Sequence, residues 1–209
     1  MYVPDHFRED RLEVLHGIIE ENSFATLVSA SPEGIIATHL PFLLDRSAGP
    51  LGMLRGHVAR ANPHWTHLAQ SEAVVIFLGS DAYVSPSWYA TSGRVPTWNY
   101  IAVHAYGTPR LIDDDSVLRR LIKETVARYE SGFERPWDMS AIEERSVSGL
   151  LRGIVGFEIP IARIDGKRKL GQNRSRADRE GMVRGLRAYS GASGTTIAEL
   201  VEVDLRGGT

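Results

Sequence analysis

The run Leu54-Arg55-Gly56-His57-Val58-Ala59-Arg60-Ala61-Asn62-Pro63 places two guanidinium groups and an imidazole at the end of a strand pattern, just before a helix start. Guanidinium forks and free N–H groups of a first helical turn both favour phosphate, so Arg55, His57, Arg60 and Asn62 are candidates for a dianion site. Surface arginines beside a hydrogen-bonded histidine fit the same string. A second group is aromatic: Trp88, Tyr89, Trp98 and Tyr100, with Thr97 and Asn99 among them and Pro86 and Pro96 stiffening the segment. A rigid apolar wall with a few amide and hydroxyl groups suits a flat heteroaromatic ligand, and core packing accounts for the rings equally well. Asn99 in a strand interior runs against propensity and invites a reason.

Histidines give weaker signals. His64-x-x-His67 could turn both imidazoles to one metal from a helix, but no carboxylate completes the set. His39, His57 and His104 sit on separate strand patterns, and of these His57 and His104 are the candidates for proton transfer near neutral pH. From Arg163 to Arg187 nine basic residues face three acidic ones, a local excess of six inside a chain whose net charge is −2. That segment could contact nucleic-acid phosphates or form a solvated helix from Ser175 to Ala188.

The elements that must position these residues read as follows. An amphipathic helix is expected over Asp10 to Asn22, then strands Phe24 to Ala30 and Ile35 to Leu44 joined by the turn Ser31-Pro32-Glu33-Gly34. A strand Leu51 to Ala59, a short helix through Gln70 and a buried strand Ala73 to Leu78 follow. The longest strand candidate is Thr97 to Ile112. Helices are expected from Asp113 to about Tyr129 and from about Ser140 to Arg152, and a strand over Gly156 to Ile164. Sequential strands with helices inserted between them argue for a mainly β barrel with inserted and C-terminal helices, and against a doubly wound parallel sheet.

Composition bounds the chemistry further. The 209 residues contain no Cys, so thiolate nucleophiles, disulfides and thiolate metal sites are excluded, and no nucleotide-binding glycine fingerprint or G-x-S-x-G elbow is present. The expectation is one domain spanning 1–209, with 165–209 as a basic, helical extension, in a cytoplasmic protein without membrane contact.

Several blocks together resemble the PaiB family: Tyr2-Val3-Pro4-x-His6-Phe7, Ala37-Thr38-His39-Leu40-Pro41, Arg55 through Pro63, Tyr83 through Tyr89, Val95 through Tyr100, and Lys169-Leu170-Gly171-Gln172-Asn173-Arg174. The resemblance covers nearly the whole chain. It implies an FMN-binding split β-barrel related to pyridoxamine-phosphate oxidases, dimeric, with flavin sites at the subunit interface. It also implies a negative transcriptional regulator of sporulation and degradative-enzyme genes, with possible DNA binding; the alternative is an FMN-dependent oxidoreductase. By the same resemblance, Arg55, Arg60 and Asn62 suit the flavin phosphate, and Thr38, His39 and His57 the ribityl chain or ring edge. Trp88, Thr97, Trp98 and Asn99 suit the ring, and Lys169, Gln172 and Asn173 complete the site. Gly171 stands where the family pattern leads one to expect Ser.

Overall fold

The computed structural model describes residues 1–207, in ten strands and six α-helices. The strand pairs Arg8–Glu9 with Arg163–Lys169, Phe24–Ser31 with Gly34–Pro41 and with Ala73–Val84, Met53–Ala59 with Leu43–Asp45 and with Ile154–Pro160, and Arg110–Leu111 with Ile154–Pro160 are all antiparallel. The helices are inserted or C-terminal, as expected. The chain divides into two compact units, the first made of 1–21, 78–104 and 165–209, the second of 22–77 and 105–164. The span 165–209 therefore belongs to the first unit with the N-terminus, and Gly208 and Thr209 lie outside the described residues. Among the described residues no helix is long and apolar enough to cross a membrane.

The second unit begins with β2 (Phe24–Ser31) and β3 (Gly34–Pro41), a hairpin whose register pairs Ser31 with Gly34 and Thr26 with His39. The start of β6 (Ala73–Val84) adds to the other edge of β2. A second sheet holds β4 (Leu43–Asp45), β5 (Met53–Ala59), β9 (Ile154–Pro160) and β8 (Arg110–Leu111), in that order. The expected strand Ile35 to Leu44 is thus two strands in different sheets. Pro41 brings no N–H to a ladder; Phe42 N still bonds Ser23 O at 2.8 Å, one step further in the β2–β3 register, and from Leu43 the chain pairs with β5 instead. The expected strand Thr97 to Ile112 divides for a similar reason into β7 (Thr97–Gly107) and β8, with Pro109 between them.

Phe42, Phe77 and Phe157 centre this core, with ring centroids 5.9 and 6.1 Å apart in edge-on contact. Against it lie α3 (Asp115–Glu130), capped by the Asp114 side chain on two amides, and α4 (Glu144–Arg152), packed through Leu118, Val147 and Leu151. The expected helix through Gln70 shrinks to α2 (Trp65–Leu68).

In the first unit the strand order is β1 (Arg8–Glu9), β10 (Arg163–Lys169), β7, β6, with α1 (Leu12–Glu21) following β1. The helices α5 (Arg176–Tyr189) and α6 (Gly191–Gly207) form its second core with the end of β6, through Val84, Leu170, Met182, Leu186, Ile197 and Val201. Each such buried side chain contributes about 1.5–3 kcal/mol relative to exposure. Strand β10 runs into the segment read from sequence as uniformly basic and helical, so period-two alternation, not helical spacing, sets which way its first charges point.

Candidate functional site

In the second unit, alternation on β5 buries Leu54, Gly56 and Val58 on one face and sets Arg55 and His57 side by side, half-buried, on the other. Arg55 Nη1 pairs with Glu124 Oε2 at 2.7 Å, while its buried Nε has no partner among the described groups. His57 is half-buried beside it, and burial pushes its pKa down, favouring the neutral imidazole with one donor and one acceptor nitrogen. Arg60, past the strand end, sends Nε to Arg152 O at 2.8 Å and Nη2 to Ile154 O at 3.0 Å. It thereby ties β5 to the α4–β9 turn, beside a cavity of about 410 Å3 lined by Trp65, Asp113, Asp115 and Arg152 among others.

Next to this strand a closed polar ring forms. Asn62 Oδ1 accepts the His64 backbone N–H at 3.0 Å, which fixes its amide orientation, and Asn62 Nδ2 donates to Thr38 Oγ1 at 3.1 Å. Thr38 Oγ1 also lies 2.8 Å from His64 Nδ1, and Ser29 Oγ lies 2.9 Å from His64 Nε2, so a neutral imidazole in a single tautomer has a hydroxyl partner at each ring nitrogen. His64 is fully buried. Burial, reinforced by the charge of His67, holds its pKa below the usual imidazole range, in keeping with this neutral tautomer. His67 instead faces Glu33 at 3.9 Å, so the two imidazoles of the H-x-x-H string have different partners. Among the described residues no group of three His, Cys, Asp or Glu is placed to hold a metal ion.

Thr38 and Asn62 are thus brought together, whereas His39 alternates to the other, exposed face of β3 and pairs with Thr26 Oγ1 at 2.9 Å. His64 was not anticipated as the hub of this ring. The signal that could have found it is an Asn-Pro-His string whose Asn can turn back on the His amide.

In the first unit, Lys169 Nζ donates to Thr97 Oγ1 at 2.7 Å, joining two candidates 72 residues apart. Asn99 is 1% exposed and its amide donates to Met182 Sδ at 3.1 Å, a weak acceptor, which supplies the reason its strand position invited. Trp88 packs on α5: it stacks on Tyr189 with centroids 6.2 Å apart, and a Cβ on Gly185 would run into its ring. Trp98 is 53% exposed, edge-on to Tyr83. Gln172 closes the turn after β10, accepting Leu170 N at 2.8 Å and donating to Arg168 O at 2.6 Å, and Asn173 is exposed. Gly171 sits in that turn at φ +77°, a left-handed conformation that a Ser would adopt only with strain.

Four of the nine basic residues of the segment are ion-paired within the unit. Arg168 reaches Glu9 at 3.3 Å and Asp204 at 3.5 Å, Arg179 reaches Asp204 at 3.5 Å, Arg176 pairs with Glu180 at 2.9 Å and Arg187 with Glu202 at 3.0 Å.

Comparison with known proteins gives the fold and family. Residues 1–163 match the family model described as "Putative FMN-binding domain". The Protease synthase and sporulation protein PAI 2 of Bacillus subtilis is 34% identical over 207 residues, covering 99% of each chain. Among solved structures, the Azotobacter vinelandii flavocytochrome Anf3 superposes with a TM-score of 0.60 at 14% identity, covering 80% of this chain and 72% of that one. A Mycobacterium smegmatis protein described as binding FAD and heme gives 0.58 at 20% identity, covering 85% and 80%. These two show a shared fold, the flavin-binding split barrel. The unpartnered Arg55 Nε, with the neutral His57 beside it, offers donors that a flavin's ring carbonyls or ribityl hydroxyls fit. The chain belongs to the PaiB family of FMN-binding split-barrel proteins, and FMN is the cofactor that membership assigns to it.

Proposed function

We propose that this protein is a negative regulator of the PaiB kind, acting in the cytoplasm as a homodimer whose output depends on FMN bound at the subunit interface. The observation that carries the reading is the buried, unpartnered Arg55 Nε on one face of β5, with the half-buried neutral His57 beside it. Arg55 with Glu124 is a neutral pair, which suits uncharged hydroxyl and carbonyl groups of the flavin. Thr38 and Asn62, locked by His64, supply a preorganised edge beside that face. We assign Arg60 to holding the α4–β9 turn, because two of its donors already serve backbone carbonyls. Direct duplex contact is assigned away from the basic segment, since Arg168, Arg176, Arg179 and Arg187 are ion-paired.

A second reading, an FMN-dependent oxidoreductase, is favoured by the cationic face of β10 described below, which suits an anionic substrate. The flavin would then accept hydride or electrons, while the chain orients the substrate and excludes water.

The regulatory reading is tested by complementing a deletion strain. The parent gene should restore repression of sporulation and protease transcripts, and a gene carrying Arg55→Ala and His57→Ala should not. Equal complementation by both, with the variant shown to lack flavin, would remove flavin from the regulatory role.

A further inference from the structure

Alternation along β10 separates its charges onto two faces. Arg168 points one way, to the carboxylates of Glu9 and Asp204. Lys167 and Lys169 point the other way, and there no carboxylate meets them among the described residues. Lys167 is only 7% exposed; its ammonium donates to Tyr2 O at 3.1 Å and lies 5.1 Å from the Tyr100 ring centroid. Lys169 lies 6.0 Å from the same ring and donates to Thr97. Arg174, from the turn after β10, lies 5.3 Å over the Tyr89 ring. Burial first, then the like charges of Lys167 and Arg174, push the Lys169 pKa down.

The acidic groups of the neighbourhood are otherwise engaged. Asp165, next on the same face of β10, is held by the Met1 amino group at 2.7 Å. Asp178 is fully buried and accepts from the Thr91 amide and hydroxyl at 2.9 to 3.0 Å, with Arg94 3.8 Å away. Three cations gathered around aromatic rings without a counter-charge repel one another, and folding has kept them together. An arrangement of this kind is relieved by an anion.

We infer that Lys167, Lys169 and Arg174, with the Thr97 hydroxyl and the Tyr89 and Tyr100 rings, form a binding site for the phosphate or carboxylate group of a small aromatic ligand. Lys169 and Arg174 make the direct contacts, and Lys167 adds charge from beneath. The anion is that of a separate acidic ligand, bound in addition to FMN. The inference stands on the first unit alone and does not require the β5 face to hold flavin.

The test is calorimetric titration of inorganic pyrophosphate into the full chain, flavin-free, riboflavin-loaded and FMN-loaded, for the parent, Lys169→Gln and Arg174→Gln. Arg174→Gln serves if Lys169→Gln fails to fold. With a separate ligand, pyrophosphate binds the FMN-loaded parent, and each variant weakens it about tenfold or more. Pyrophosphate that binds only without FMN, with variants that lose about tenfold in affinity for FMN but little for riboflavin, would give the cluster to the cofactor phosphate and overturn a separate ligand. A parent that binds pyrophosphate in none of the three forms, or variants that match it, would overturn the site. A protein that binds pyrophosphate but no flavin would overturn the flavin reading and leave this one standing.

Discussion

The polar groups of the two units solve opposite problems. In the second unit, Ser29, Thr38, Asn62 and His64 form a neutral ring in which each imidazole nitrogen has a hydroxyl partner, and Arg55 is balanced by Glu124. In the first unit, Lys167, Lys169 and Arg174 are held together without a carboxylate. A satisfied neutral network fixes geometry and contributes stability, whereas an uncompensated cation cluster holds binding energy in reserve for a ligand. Substitutions in the first network should therefore show mainly in folding, and those in the second mainly in affinity.

The largest effect should come from His64→Leu. It removes the imidazole partner of the Thr38 and Ser29 hydroxyls and should cost about 2–4 kcal/mol in chemical denaturation. A loss below about 0.5 kcal/mol would mean that the ring is not energetically coupled. The conservative His64→Gln, which keeps one donor and one acceptor, should recover part of the loss.

A smaller effect, in pH, separates the units again. The pKa values of His57 and His64 are lowered in the fold, so the unfolded chain binds protons more readily below about 6.5. Stability should be full above that pH and fall as pH drops toward the depressed folded values. Lys169 is lowered too, and its sign gives stability rising with pH in the alkaline range just below the ordinary lysine value. Denaturation midpoints between pH 5 and 7 should flatten in His64→Gln, and those in the alkaline range should flatten in Lys169→Gln. Curves unchanged by either substitution would detach the pH response from these groups.

Much of this architecture is legible along the chain where local signals agree. Helices α1, α3 and α5 combine an apolar stripe with polar caps, Asp114 on two amides and Ser175 on the Asp178 amide, and each falls within a few residues of its expected span. The breaks after Pro41 and at Pro109 are harder to read, because alternation continues across both prolines while the ladder does not. Helix α6 lies inside the expected helical extension but has no expected bounds of its own, its apolar face being built of the small and branched residues Ile197, Ala198 and Val201. At the candidate sites, Arg55, His57 and Asn62 stand out by type and spacing, and Thr38 only through the family resemblance. The Thr97–Lys169 bond does not, since only the sheet brings residues 72 apart together. The meaning of the basic segment also depends on tertiary partners: its net excess is visible in the string, but the carboxylates that take up Arg168 and Arg187 lie on β1 and α6.

The central claim is that FMN sits on the β5 face through Arg55 and His57, and flavin titration followed by fluorescence tests it most directly. The parent should bind FMN, and Arg55→Ala with His57→Ala should weaken FMN and riboflavin alike, by about tenfold or more, because the contacts assigned to that face are to the ring and ribityl chain. A parent that binds no FMN, or a double variant that binds it as tightly as the parent, would contradict the account.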